Sequence, residues 1–148
     1  MKEPFVVWDD KYSIGIETID EQHKGLFALT NELHDACGEK GGVCSEHFKE
    51  ALKKAVNYVA LHFSAEEDIM QETNDPYYDE HKSEHDLFVK KVVREAAQLE
   101  QAGDDAPEVF MNFLRTWISE HVTGTDIKIG RHIAALKANG ALKADATF

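Results

Sequence analysis

Four stretches of this chain carry apolar residues at alternating spacings of three and four, and each stripe meets a histidine. The groups read His23, then His62 with Glu66, then His81 with His85, then His121 with Asp126. His62 and Glu66 are four residues apart, as are His81 and His85, so each pair projects from one helix face. All members but Asp126 lie on, or in line with, an apolar stripe. Imidazoles and carboxylates turned into a core cost free energy unless something satisfies them. A metal cluster is the simplest thing that satisfies all seven at once.

The stripes belong to four helices with clear punctuation. The first opens at Thr18-Ile19-Asp20-Glu21, a capping-box pattern, carries Ile19, His23, Leu26, Phe27, Thr30 and Leu33 on one face, and stops before Gly38. The second opens near Ser45, a good N-cap, and runs inward through Phe48, Leu52, Val59, His62, Glu66 and Met70. Asn74-Asp75-Pro76 ends it and starts the third, with Asp75 as cap and Pro76 at the first position. The third shows His81, His85, Phe88, Val92 and Leu99 before Gly103, and the fourth follows Asp105-Ala106-Pro107 with Phe110, Leu114, Trp117 and His121. Gly124 is expected to break or bend the last turn, and Ile127 to Leu136 to form one short amphipathic helix.

Seams of this spacing and short connections predict an all-α, antiparallel up-down-up-down four-helix bundle. An apolar N-terminal arm (Phe5, Val6, Val7, Trp8, Tyr12, Ile14, Ile16) packs along it, and residues 139–148 form a loose tail. The whole of 1–148 reads as one domain, with a core from about 8 to 136.

The 148 residues carry a net charge of −12, which repels nucleic acid and anionic membranes. No run approaches the roughly 18 apolar residues a membrane span needs, and the N-terminal apolar stretch is too short for a signal peptide, so the expected compartment is the cytoplasm. Cys37 and Cys44 flank a glycine-rich turn without a CxxC spacing. A disulfide across that turn is open, but a cytoplasmic setting favours free thiols.

Up, down, up and down place early His23, late His62 and Glu66, early His81 and His85, and late His121 at one end of the bundle. Asp126 is five beyond His121, off the face of a straight helix, and a helix broken at Gly124 would swing it back. Two six-coordinate metals need roughly twelve ligand positions. Five imidazoles, two bridging carboxylates and one bridging hydroxide or oxide supply all but one of them, a mixed nitrogen–oxygen set that suits iron better than tetrahedral zinc. Oxygen-activating di-iron sites in bundles use four carboxylates and two histidines. Here neutral imidazole dominates, which favours the ferrous state and reversible oxygen binding over substrate oxidation. His34, His47 and His132 stand outside the pattern and receive no role, and Met70 is read as packing.

The sequence resembles the hemerythrin family, specifically its bacterial branch. The resemblance rests on Gly15-Ile16, Ile19-Asp20-Glu21-Gln22-His23-Lys24-Gly25-Leu26-Phe27, His62-Phe63-Ser64-Ala65-Glu66-Glu67, His81 to His85 with Phe88, and Trp117-Ile118-Ser119-Glu120-His121 with Asp126. It runs from about Trp8 to Ile133. It implies a non-haem centre of two iron ions that binds dioxygen reversibly. By that resemblance His81, His85 and His121 hold one iron, His23 and His62 hold the other, which keeps the open position, and Glu66 and Asp126 bridge the two. It also implies that Ile118 shields the oxygen pocket and that Trp117 packs near the cluster.

An oxygen carrier or store follows as the leading expectation, with dioxygen and a protein recipient of it as partners. Oxygen or redox sensing, and peroxide or nitric oxide chemistry at the open position, are the competing classes. The donor set leaves iron and manganese to be told apart by experiment.

Overall fold

The computed structural model describes residues 3–148, and all its regular structure is helical. Helices α1 (Glu17–Cys37), α2 (Glu46–Glu72), α3 (Tyr78–Gln98) and α4 (Ala106–Glu120) form the antiparallel bundle. A π-helical segment, His121–Asp126, joins α4 to α5 (Ile127–Ala138) without a break in the helical path. No helix among the described residues is long and apolar enough to cross a membrane.

The helix starts differ from their sequence signals in instructive ways. Ser45 does cap α2, its Oγ accepting from the Phe48 amide at 3.0 Å, an interaction worth about 1 kcal/mol. The Thr18 capping box does not form, because α1 begins at Glu17. The Thr18 hydroxyl instead donates to the Phe148 carbonyl at 2.5 Å, and Asp20 accepts from the Ser13 hydroxyl and the Ile14 amide at 2.6 and 2.8 Å. Regular helix α3 begins at Tyr78, two residues past Pro76, while the Asp75 carboxylate accepts from the Tyr77 amide at 2.9 Å.

The N-terminal arm is fastened by a side-chain amide. Asn31 accepts from the Val6 amide at 2.8 Å and donates to the Val6 carbonyl at 2.9 Å. Trp8, Tyr12 and Phe27 pack edge to face beside it, and Ile14 and Ile16 are buried. Gly130 of α5 makes that docking possible, since a Cβ there would run into the Ile14 carbonyl oxygen. Residues 139–148, read from sequence as a loose tail, fold back. Lys137 donates to the Ala146 carbonyl at 2.9 Å, and Leu142 and Phe148 pack against the core. His132, given no role by its sequence position, pairs with the Thr73 carbonyl at 2.8 Å and ties α5 to the end of α2.

Leu26, Val59, Phe88 and Ile118 form an apolar layer in the bundle interior. They stand three residues after His23, before His62, after His85 and before His121. The layer therefore lies one helical turn from the four histidines on every helix, which is the antiparallel register expressed in side chains. It borders an apolar cavity of about 80 Å³ that runs toward the opposite end, past Thr30 and Leu33. Cys37 and Cys44 are free thiols, and burial pushes the Cys37 thiol up to about 11.

Candidate metal centre

The seven polar residues singled out in the sequence converge. His23, His62, His81, His85, His121, Glu66 and Asp126 are all at most 4 % exposed. One ligand atom from each of Glu66, His81, His85, His121 and Asp126 lies within 4.8 Å of the others, and the same holds for His23, His62, Glu66 and Asp126. The two groups share both carboxylates.

Each carboxylate divides its oxygens between the two groups. Glu66 Oε1 faces His62 Nε2, with which it is in contact, and His23 Nε2 at 3.4 Å. Its Oε2 faces His81 and His85 at 3.0 and 3.5 Å. Asp126 Oδ2 lies 3.0 Å from His23 Nε2, and its Oδ1 lies 3.0 Å from His81 and 2.9 Å from His121. Asp126 reaches this place through the π turn. Hydrogen bonding of the i to i+5 type brings a residue five positions on back over its starting face, so the helix bends the side chain inward where a break at Gly124 was expected.

The chemistry of the donors fits a metal. All five Nε2 atoms point at the carboxylates or at each other, and His85 Nε2 and His121 Nε2 stand 3.2 Å apart. Both oxygens of Asp126 are buried without satisfied hydrogen bonds. Inward-facing lone pairs and buried anions of this kind are compensated by a cation. Without metal, protons take that part. Burial acts to lower His23 and His81, but the contacts with Asp126 and Glu66 outweigh it and raise them to about 9 and about 10. Burial acts to raise Glu66 and Asp126, and the surrounding histidines outweigh it and hold both carboxyls below their ordinary range.

Around this core stand three acceptors that the sequence reading missed. His62 Nδ1 donates to Gln22 Oε1 at 2.8 Å, His85 Nδ1 to Glu67 Oε2 at 2.8 Å, and His121 Nδ1 to Glu84 Oε2 at 3.0 Å. A carboxylate only accepts, so the bonds to Glu67 and Glu84 put the proton on Nδ1 of His85 and His121 and leave Nε2 free to ligate, and the Gln22 amide oxygen does the same for His62. Glu84 also accepts from the Thr125 hydroxyl at 3.0 Å, inside the π turn. Their sequence signal is that each adjoins a core residue: Gln22 before His23, Glu67 after Glu66, Glu84 before His85.

The two residues assigned to an oxygen pocket part company. Ile118 is buried in the apolar layer over the histidines and lines the cavity. Trp117 lies flat on His121, ring centroids 4.2 Å apart, with Phe88 stacked on its other side at 3.8 Å. Phe63 lies flat on His85 at 3.7 Å. These rings clamp the imidazoles in place.

Comparison with known proteins agrees with this architecture. A family model, the Hemerythrin HHE cation binding domain, matches residues 14–132. A bacteriohemerythrin of Stenotrophomonas maltophilia is 32% identical over 121 residues, covering 82% of this chain and 76% of that protein. A hemerythrin-like protein of Naegleria gruberi is 35% identical over 121 residues, covering 82% and 87%. A crystal structure of wild-type hemerythrin has the same fold, with a TM-score of 0.76 at 24% identity over 88% of this chain and 98% of that one.

Proposed function

The chain belongs to the hemerythrin family, and from that premise we propose that it binds dioxygen reversibly at a non-haem di-iron centre, as an oxygen carrier or store. The observation that carries this reading is the division of Glu66 and Asp126 oxygens between two histidine groups. Two carboxylates so placed would each offer one oxygen to either of two metals. His81, His85 and His121 would hold one iron and His23 and His62 the other. When bound, the two irons supply the redox chemistry that takes up and releases dioxygen.

The chain's own residues would do the rest. The outer acceptors hold His62, His85 and His121 with Nε2 aimed inward and free to ligate. The shorter histidine complement of the His23 and His62 side would leave the open position to the metal held there. Ile118, with Leu26, Val59 and Phe88, places an apolar layer one helical turn from the histidines. It admits a small apolar gas and opposes the entry of water, which promotes irreversible oxidation. The imidazole-rich ligand set favours return to the ferrous state over transfer of oxygen to a substrate.

The test is a visible absorption spectrum of the iron-loaded, reduced protein through a cycle of oxygen addition and removal. A charge-transfer band that appears with oxygen and disappears on deoxygenation supports the carrier reading. A single irreversible passage to a ferric spectrum replaces it with a sensing or enzymatic role.

A further inference from the structure

The outer acceptors form a directional chain around the bundle. Gln22 on α1 reaches His62 on α2, Glu67 on α2 reaches His85 on α3, and Glu84 on α3 reaches His121 on α4. The link back to α1 is not made, and His23 Nδ1 is buried without a partner. The partners also differ in charge. Two histidines of the three-histidine group lean on carboxylates. In the two-histidine group, one leans on a neutral amide and the other on nothing.

A carboxylate that accepts from Nδ1–H draws that proton toward itself and makes Nε2 a stronger donor to a metal, whereas an amide does so weakly. Glu67 is the better placed of the two, with a side chain 17 % exposed against 43 % for Glu84, so water screens it less. We propose that Glu67, Glu84 and Gln22 are positioning residues that grade metal affinity across the site. Through them the His81, His85 and His121 half is retained firmly, and the His23 and His62 half is the exchangeable one. This rests on the two-metal reading of the site but on no property of oxygen binding.

Ligand number alone also favours the three-histidine half, so the test varies the outer partners and leaves the ligands intact. The full chain is loaded with cobalt(II), bound metal per chain is measured, and release to a chelator is followed by the visible absorption of the bound metal. The wild-type protein is expected to release two metals in a fast and a slow phase. Glu67→Gln is expected to speed the slow phase by about 10–100-fold, the size typical for loss of such a partner, and Glu84→Gln to speed it by less. Gln22→Glu is expected to slow the fast phase, a gain that loss of structure does not produce. A slow phase unchanged in both glutamine variants, or a fast phase not slowed in Gln22→Glu, with two metals still bound, overturns the grading. One metal per wild-type chain overturns the two-metal reading and the grading with it.

Discussion

Asp126 stands five residues beyond His121 and still sets its Oδ1 2.9 Å from the Nε2 of that histidine. An α-helix would turn the two side chains to different faces. The π turn across His121–Asp126 makes the approach, and Thr125 within it is bonded to Glu84, the acceptor behind His121. One irregular turn therefore brings the Asp126 carboxylate to the histidines and ties itself, through Thr125, to the Glu84 carboxylate that also holds His121.

Insertion of one alanine after Gly124 is expected to set Asp126 six residues beyond His121 and swing it off the cluster. Gly124 is exposed and nothing lies near its Cβ direction, so the bundle itself should survive. The expected outcome is a helical spectrum like that of the wild type with fewer metals bound per chain. Full metal stoichiometry in the lengthened protein would show that the spacing set by the π turn is not what delivers Asp126.

Metal-free stability and metal affinity are expected to move in opposite directions with pH. His23 and His81 are raised from an ordinary value of 6.5 to about 9 and about 10 in the metal-free fold. A raised folded pKa contributes stability that is fully present below 6.5 and is lost as pH climbs through the folded values. Glu66 and Asp126, held low, contribute stability that is lost on strong acidification instead. Ligation needs unprotonated imidazole, so metal uptake releases protons and strengthens with pH. The Tm of the metal-free protein should fall between pH 6.5 and 10 while metal affinity rises. Thermal scans and a pH-indicator titration measure the two, and a level Tm together with proton-neutral uptake contradicts the linkage.

The arm should depend on a single missing methyl. Gly130→Ala drives a Cβ into the Ile14 carbonyl, and overpacking of this kind typically costs about 1–3 kcal/mol. Urea unfolding should show that loss. Because Asp20 and Asn31 hold the arm at other points, the four-helix core and its metal content should persist.

The bundle and the convergence of His23, His62, Glu66, His81, His85 and His121 were legible because both follow from period and phase, whereas Asp126 is out of phase and arrives through the π turn. Leu26, Val59, Phe88 and Ile118 repeat one offset from the histidines with alternating sign, and only an antiparallel bundle satisfies that alternation. Features that depend on partners distant in sequence were not legible. Thr18 looks like a cap until Phe148 takes its hydroxyl. Gln22, Glu67 and Glu84 look like ordinary flanking polar residues, because the histidine each one serves belongs to the next helix. Gly124 reads as a helix breaker, since a sequence does not distinguish a turn that widens from one that stops.

Ile118 offers the sharpest test of the apolar layer. It is 3 % exposed, one turn from His121, and lines the cavity beside the histidines. Ile118→Val removes one methylene, at a stability cost of about 0.5–1.5 kcal/mol, and leaves every ligand and outer acceptor in place. If the layer keeps water from the open side of the centre, the oxygenated variant should autoxidise several-fold faster, while dioxygen uptake still reverses. Decay of the oxygenated absorption band at fixed pH measures this. A rate equal to the wild type, in a variant destabilised as expected, would remove Ile118 from any protective role and leave it as packing alone.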